Sequence, residues 1–167
     1  LKLVVKSGSG ENLFRDWRYN SDGSINENFV LNNEIYRGRI LIAGRNFGCG
    51  SSREHAAWAI KQYGFDVVVS SEFADIFKNN ALNNAILPIE VSPEFLDSFF
   101  KAIEVDPNTQ FHVSLDEQVF AVDGGDNYHF EINPFKKDCL RQGMDELDYL
   151  LSLKDDITKF EQSQTIY

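Results

Sequence analysis

The fold can be deduced from Gly44-Arg45-Asn46-Phe47-Gly48-Cys49-Gly50-Ser51-Ser52-Arg53-Glu54-His55, a glycine-rich stretch between two apolar segments. Residues 39–43 before it are an apolar run that predicts a buried strand, and residues 56–60 after it predict a helix. Glycine lets the backbone approach a ligand closely, and the first N–H groups of a helix have no partner inside that helix. A strand, a glycine turn and a helix start in this order therefore predict an anion-binding site.

The candidate site residues all come from this stretch: the turn glycines Gly48 and Gly50, and the side chains of Arg45, Ser51, Ser52 and Arg53. Ser51 and Ser52 come where the helix offers unpaired N–H groups, and Arg53 adds a guanidinium that matches a carboxylate or phosphate. A structural role is the alternative. Ser51 and Glu54 have the spacing of a capping box, and Arg53 could be a solvated surface charge. The pattern alone leaves both interpretations open.

Composition excludes several classes of function. The chain has 167 residues, 43% of them hydrophobic, which predicts one compact domain over residues 1–167 with a substantial core. A net charge of −10 opposes the binding of nucleic acid, because both carry negative charge. The same charge repels a dicarboxylate substrate at long range, so a local cluster of Arg45 and Arg53 would have to overcome that repulsion. No apolar run approaches the roughly 20 residues that a membrane helix needs, and no signal peptide is visible. We therefore expect a cytoplasmic protein that binds neither nucleic acid nor membrane.

Cysteine and histidine spacing predicts that this chain holds no metal. An iron–sulfur cluster needs three or four thiolates, and Cys49 and Cys139 are too few and too far apart. Two distant cysteines also give no disulfide framework, which suits a reducing cytoplasm. His55, His112 and His129 have no ligand partner at helical spacing, so we interpret the last two as ordinary strand residues. Cys49 is expected to pack as a small apolar side chain.

The order of elements along the chain predicts an α/β fold: a mixed sheet flanked by helices, with a β-hairpin portion. Apolar runs predict strands over residues 39–43, 65–69 and 86–91; helices are expected over residues 52–63 and 73–84 and from residue 93; alternation predicts antiparallel hairpins over 111–132. Residues 7–28 are expected to form a long loop with aromatic anchors. The inner face of the helix over residues 73–84 is expected to carry Ala74, Ile76, Phe77, Ala81 and Leu82. The side chains expected to pack on the sheet from the C-terminal region are Leu147, Leu150, Leu151 and Leu153.

Several motifs also resemble a known family. Residues 50–57 are similar to the signature of the small swivelling domain of the aconitase superfamily. Residues 44–49, 71–80, 13–19 and 135–146 extend the resemblance to one branch, the small subunits of 3-isopropylmalate dehydratase. It covers most of the chain and implies a swivelling β/β/α domain. Family members usually carry a further segment before the position of Leu1, so the chain is expected to lack the N-terminal segment of its domain.

The resemblance implies a hydro-lyase of leucine biosynthesis that converts 2-isopropylmalate to 3-isopropylmalate through 2-isopropylmaleate. In that family a large subunit holds a 4Fe–4S cluster, and the small subunit supplies a serine base at the position of Ser51. The implied partners are this cluster-bearing large subunit, in a heterodimer or higher heteromer, and a small dicarboxylate substrate. Ser52 and Arg53 would bind a substrate carboxylate, and Arg45 would be a second cation. The chain alone is expected to be inactive and to bind no cofactor itself.

Two other functions remain open at this stage. The first is a related hydro-lyase subunit, of the homoaconitase or citraconate/methylmalate type, because the signature matches the malate portion that these substrates share. The variable part of the substrate is expected to meet the loop around residues 1–20. The second is a non-catalytic anion-binding module that regulates a partner.

Overall fold

The computed structural model describes residues 8–50, 53–144 and 146–163. The candidate residues Ser51 and Ser52 lie outside the described residues. Short 3-10 helices span Gly10–Asn12, Val30–Asn32 and Glu34–Tyr36. The α-helices are α1 (Arg15–Arg18), α2 (His55–Tyr63), α3 (Asp75–Asn83), α4 (Pro93–Val105), α5 (Pro134–Gln142), α6 (Glu146–Ser152) and α7 (Lys154–Ser163). The strands are β1 (Ile40–Ile42), β2 (Val67–Ser70), β3 (Leu87–Glu90), β4 (Phe111–Ser114), β5 (Val119–Val122) and β6 (Asn127–His129).

The first three strands form a parallel sheet in the order β1-β2-β3, as the strand–helix–strand pattern predicts. Leu41 lies opposite Val68 in the register of β1 and β2. Successive side chains of a strand point to opposite faces, and both faces of this sheet are buried. Val68 packs in one hydrophobic cluster with Leu41, while Val67 and Val69 pack in the other. The parallel sheet is therefore the middle layer of the fold.

Helices α2 and α3 cover one face of the parallel sheet. Helix α2 ends at Gly64, which has a left-handed φ of +117° and whose N–H caps the last turn, as predicted. Helix α3 buries Phe77 and Ala81, which lie one turn apart on the same side of the helix. The prediction that Ile76 lies on the inner face was wrong. Its side chain is half exposed, because Phe77 and Ala81 define the buried stripe and Ile76 points away from it.

Asp66 joins α2 to the start of β2 through two basic side chains. Lys61 Nζ donates to Asp66 Oδ1 at 2.6 Å and to the carbonyl oxygen of Ala85 at 2.9 Å, and Arg39 Nε donates to the other carboxylate oxygen. Partial burial alone would raise the pKa of Asp66, but the hydrogen bonds from Lys61 and Arg39 outweigh it and hold the pKa below its usual value. The folded state therefore favours the ionised carboxylate.

The opposite face of the parallel sheet is covered by α4 and a second sheet. Helix α4 begins after Ser92, whose hydroxyl accepts a hydrogen bond from Phe95 N, as its Ser-Pro start predicts. Strands β4-β5-β6 pair antiparallel, as predicted. They join the core through side chains such as Phe120 of β5, whose ring centroid is 5.0 Å from that of Phe99 in α4.

Within the described residues, the strands thus form two three-stranded sheets, and the prediction of one mixed sheet was wrong in this detail. The predicted α/β class and hairpin portion are observed. The physical reason for the separation is that the hairpin strands take their hydrogen bonds from one another. They meet the parallel sheet only through the hydrophobic cluster that they share with α4.

The C-terminal helices differ from the prediction. Leu147, Leu150 and Leu151 were expected to pack on the sheet, but all three are more than half exposed. Helix α6 is attached through Tyr149, whose ring meets the ring of Phe135 edge-on at a centroid distance of 4.8 Å, and the leucines lie elsewhere around the helix. In the part of the chain that the structure describes, no helix is both long and apolar enough to cross a membrane.

Candidate functional site

The glycine turn, residues 44–50, leaves the carboxyl end of β1 beside the end of β2. Phe47 fixes its position, since Phe47 N donates to the carbonyl oxygen of Glu72 at 2.9 Å and Ala74 N donates to the carbonyl oxygen of Phe47 at 3.0 Å. These bonds join the turn to the connection between β2 and α3. Asn46 adopts a left-handed φ of +59°, a conformation that asparagine tolerates better than most residues. The turn is therefore bonded to the edge of the sheet where the sequence predicts a ligand.

Ser70, the last residue of β2, is a structural residue of this site that the sequence interpretation missed. Its side chain is fully buried. Its Oγ lies 2.7 Å from the carbonyl oxygen of Gly44 and 2.9 Å from that of Glu72, and it accepts a hydrogen bond from Glu72 N at 3.3 Å. A single polar residue at the end of the apolar run Val67–Val69 is the only signal in the sequence that could have identified it.

The two predicted turn glycines have different surroundings. Gly48 has a φ of +83°, and a Cβ placed on it would lie 2.3 Å from Cγ of Phe77, which is 1% exposed. The absence of a side chain at Gly48 is thus required by packing. Gly50 is exposed, and a Cβ there would meet no atom of the described residues within 4 Å. A role in the approach of a ligand remains a prediction for both positions.

The two predicted arginines lie at either end of the stretch. Arg45 is largely exposed, and its Nε donates to Glu72 Oε2 at 2.6 Å. This hydrogen bond and the charge of Glu72 raise the pKa of Arg45 above its ordinary value. Arg53 is exposed in the bend that precedes α2. Glu54, which a capping box would direct back to Ser51, accepts a hydrogen bond from Asn84 Nδ2 at 3.3 Å.

The turn borders a cleft of about 860 Å³, which we call the turn cleft. Its lining comes from the glycine turn, the start of α2 and the N-terminal segment around α1. Arg45, Gly48 and Gly50 are among the lining residues, so the structure brings these three predicted site residues together. Cys49 also lines the cleft and is exposed, so the prediction that it packs as an apolar side chain was wrong. The turn contacts the core through Phe47 and Gly48, and the chain has left the core by Cys49.

Two of the three histidines lie where the sequence predicts. His112 is in β4 and His129 is in β6. His55, the first residue of α2, lines the turn cleft, and its ring centroid is 4.8 Å from that of Trp58. Within residues 8–50, 53–144 and 146–163, no group of three or more His, Cys, Asp or Glu side chains could hold a metal ion.

The N-terminal segment supplies the apolar part of the turn cleft. Leu13 is buried in the core cluster that also contains residues of α2. Ser9 N donates to Gln62 Oε1 at 2.8 Å, and Gly10 packs so tightly on the backbone of Gln62 that a Cβ would lie 2.8 Å from its carbonyl carbon. Phe14 and Trp17, which follow these contacts in the sequence, line the cleft. The predicted aromatic anchors in this region are therefore observed.

Comparisons with known proteins agree on one family. Residues 1–94 match the model of the aconitase C-terminal domain. The chain is 55% identical over 165 residues to the 3-isopropylmalate dehydratase small subunit of Christiangramia forsetii, covering 98% of this chain and 80% of that protein. It is 54% identical to the protein of the same name from Cytophaga hutchinsonii, over 98% of this chain and 82% of that one.

A solved structure supports the same assignment. The crystal structure of 3-isopropylmalate dehydratase from Methanocaldococcus jannaschii is similar with a TM-score of 0.55 and 30% identity. The match covers 72% of this chain and 67% of that chain. The family and fold class predicted from the sequence are thus confirmed. The chain belongs to the aconitase C-terminal domain family and, within it, to the small subunits of 3-isopropylmalate dehydratase.

Proposed function

We propose that this chain is the smaller part of an enzyme that isomerises 2-isopropylmalate to 3-isopropylmalate in leucine biosynthesis, by removing water and adding it back. The observation that carries the proposal is the turn cleft, in which a glycine turn before a helix start meets an apolar aromatic surface. A 2-alkylmalate has the matching chemistry, since it carries two carboxylates and one branched alkyl group. The identity of 55% to a protein named 3-isopropylmalate dehydratase small subunit supports the same substrate.

The reaction needs a base for a carbon-bound proton, and we propose Ser51 for this role. Serine is a poor base in water, so its alkoxide needs a positive environment. The N–H groups at the start of α2 and the guanidinium of Arg53 would supply that environment. Arg53 would also hold a substrate carboxylate through two parallel hydrogen bonds, which fixes the proton to be removed. Ser52 would add a hydrogen bond to the same carboxylate.

Arg45 is the less direct of the two proposed cations. Its pairing with Glu72 offsets its charge, and the chain as a whole carries a net charge of −10. Its guanidinium still carries N–H donors on its two Nη atoms, and the residue lines the turn cleft. We propose that Arg45 orients a second carboxylate, while Arg53 and the helix start supply most of the attraction.

The chain's own residues do not fit a 4Fe–4S cluster. Such a cluster needs three or four thiolates, and the sequence has two cysteines. Cys49 is exposed in the glycine turn, and Cys139 is buried in α5. We therefore propose that the cluster belongs to a larger partner subunit, and that the acid acting on the substrate hydroxyl comes from that subunit.

The test is a reconstituted assay. The chain, carrying the N-terminal segment of its relatives, is co-expressed anaerobically with a cluster-bearing large subunit, and absorbance of the unsaturated intermediate is followed. We expect turnover of 2-isopropylmalate only when both chains are present. If the enzyme turns over citrate, homocitrate or 2-methylmalate but does not turn over 2-isopropylmalate, the proposed substrate is wrong and that acid takes its place. A complex that binds carboxylates and turns over none of these acids would favour a regulatory module.

Replacing Ser51 by Ala should abolish turnover and leave assembly intact, because the proposed base is lost. The matched control is Ser98→Ala, whose hydroxyl bonds only to its own helix at Phe95 O among the described contacts. Turnover close to that of the control would exclude Ser51 as the base.

Replacing Arg53 by Lys should raise KM and lower kcat, because a point charge cannot reproduce the two-pronged contact of a guanidinium. The matched control is Arg37→Lys, since Arg37 is exposed and pairs with Glu34 in another part of the chain. Unchanged kinetics for Arg53→Lys would remove Arg53 from the site.

A further inference from the structure

We infer that Phe14 and Trp17 form the specificity-determining wall of the turn cleft, and that this wall receives the branched alkyl group of the substrate. The inference rests on the proposed function and deepens it. It names the residues that would select malates with an apolar 2-substituent over malates whose substituent ends in a carboxylate.

The first support is the exposure of a large aromatic pair inside a concave surface. The Phe14 and Trp17 rings are stacked, with centroids 5.6 Å apart and an interplanar angle of 12°. Trp17 is nevertheless 62% exposed, and both residues line the cleft. Aromatic side chains bury large areas when a ligand covers them, and clustered exposed apolar surface marks interaction sites. Trp17 therefore offers an exposed aromatic surface in the cleft, and Phe14, which is partly buried, joins that surface to the core cluster.

The second support is that the pair is held rigidly. Phe14 has a φ of +49°, in the left-handed region that a bulky residue rarely adopts. Trp17 N donates to the carbonyl oxygen of Phe14 at 2.9 Å, and Asn26 Nδ2 donates to the carbonyl oxygen of Trp17 at 2.9 Å. The Phe29 ring supports Trp17 at a centroid distance of 5.9 Å. Unfavourable backbone conformations persist where the surroundings enforce them, and they cluster at ligand sites.

The third support is continuity with the glycine turn. The Phe14 ring meets the ring of Phe47 edge-on at a centroid distance of 6.5 Å, and Phe47 belongs to the turn. One cleft thus joins an aromatic surface to the turn that leads to the predicted carboxylate site. A ligand that contacts both must be apolar at one end and anionic at the other.

The malate portion of the substrate has two carboxylates, and the charges around the cleft oppose the binding of a third carboxylate on the 2-substituent. The faces of aromatic rings carry negative electrostatic potential, so a carboxylate placed against Phe14 or Trp17 would lose its hydration and gain no partner. Among the described residues that line the cleft, Arg45 is the only lysine or arginine, and it is paired with Glu72. A citrate-like or homocitrate-like substrate would therefore bind poorly, whereas an isopropyl group would be covered.

The experiment uses the reconstituted two-subunit enzyme and compares kcat/KM for 2-isopropylmalate with kcat/KM for 2-methylmalate. An extra methylene in an apolar pocket changes this quantity by about 10- to 200-fold, and isopropyl has two more carbons than methyl. We expect Trp17→Ala to lower the ratio of kcat/KM for 2-isopropylmalate to kcat/KM for 2-methylmalate about tenfold. The loss is not larger because other apolar residues of the cleft remain. Trp17→Phe should restore most of the ratio.

The matched control is Phe160→Ala on α7, because Phe160 is 63% exposed and does not line the cleft. Its ratio should stay at the unmodified value. An unchanged ratio in Trp17→Ala, or an equal loss on both substrates, would overturn the inference. If the Trp17→Ala complex does not assemble, Phe14→Leu gives the same ratio test, with an expected fall of about threefold. If the unmodified two-subunit enzyme does not turn over 2-isopropylmalate, the proposed function itself is refuted.

Discussion

Replacing Gly48 by Ala tests whether packing against the core fixes the glycine turn. Alanine would have to keep a φ of +83°, which costs an L-residue roughly 1 to 2 kcal/mol. Its Cβ would also lie 2.3 Å from Cγ of Phe77. Phe77 cannot easily retreat, because it is 1% exposed and its ring is packed on Phe73 at a centroid distance of 6.0 Å. Overpacking of this kind costs about 1 to 3 kcal/mol.

The two terms together predict that Gly48→Ala lowers the free energy of unfolding by about 2 to 5 kcal/mol. For a domain of this size that corresponds to a fall in Tm of roughly 5 to 15 °C. Urea unfolding followed by tryptophan fluorescence measures the change. The matched variant is Gly50→Ala in the same turn, where a Cβ meets no described atom within 4 Å and the expected change is within about 0.5 kcal/mol.

Equal stabilities for the two alanine variants would refute the packing argument. Activity of the reconstituted enzyme then adds a second comparison. Gly50 lines the turn cleft, so a methyl group there should raise KM without affecting stability if a ligand approaches the backbone at this point. Normal stability together with normal KM in Gly50→Ala would show that the ligand does not reach Gly50.

Two further predictions concern Ser70, which is bonded to the glycine turn, and Asp66, which precedes β2 at the opposite edge of the sheet. Ser70→Ala should lower the free energy of unfolding by about 1 to 3 kcal/mol in urea titrations, because the part-buried hydrogen bonds of the Ser70 hydroxyl with the carbonyl oxygens of Gly44 and Glu72 are lost; a change as small as that of Ser98→Ala would contradict this role. Asp66→Asn should destabilise the chain at pH 7. Because the folded pKa of Asp66 is depressed, its contribution is present above the unfolded pKa of about 3.9 and is lost as the pH falls through the folded pKa. Unfolding curves between pH 7 and pH 2 should therefore converge for the two proteins, and a constant difference would oppose the assignment.

Local signals in the sequence predict most of the elements. The apolar runs give the three parallel strands, and residues such as Gly64 and Pro93 fix helix ends, because a left-handed cap and a missing N–H act within one turn of backbone. The candidate turn was predicted at the correct sheet edge for the same reason. The resemblance carried by residues 50–57 added the family, which the comparisons confirm.

Features that depend on distant parts of the chain could not be predicted. The contact between Gly48 and Phe77 joins residues of different elements, and the hydroxyl of Ser70 finds its partner in another loop. The left-handed backbone of Phe14 contradicts the local preference of phenylalanine and arises from the segment around it. The exposed leucines of α6, such as Leu150, have the periodicity of buried residues, and periodicity does not reveal whether a partner surface is within reach. The roles of the serines and arginines of the stretch stay predictions.

The bonds that Phe47 and Ser70 make have a consequence for binding affinity. Fixing the backbone of a flexible loop costs about 1 to 2 kcal/mol of conformational entropy per residue. In this protein the turn is already ordered by the amide and carbonyl of Phe47 and by the buried hydroxyl of Ser70. That entropy is lost once, when the chain folds, and not each time a small molecule arrives. Ser70, which does not line the turn cleft, would thus contribute to how tightly a ligand of the turn is held.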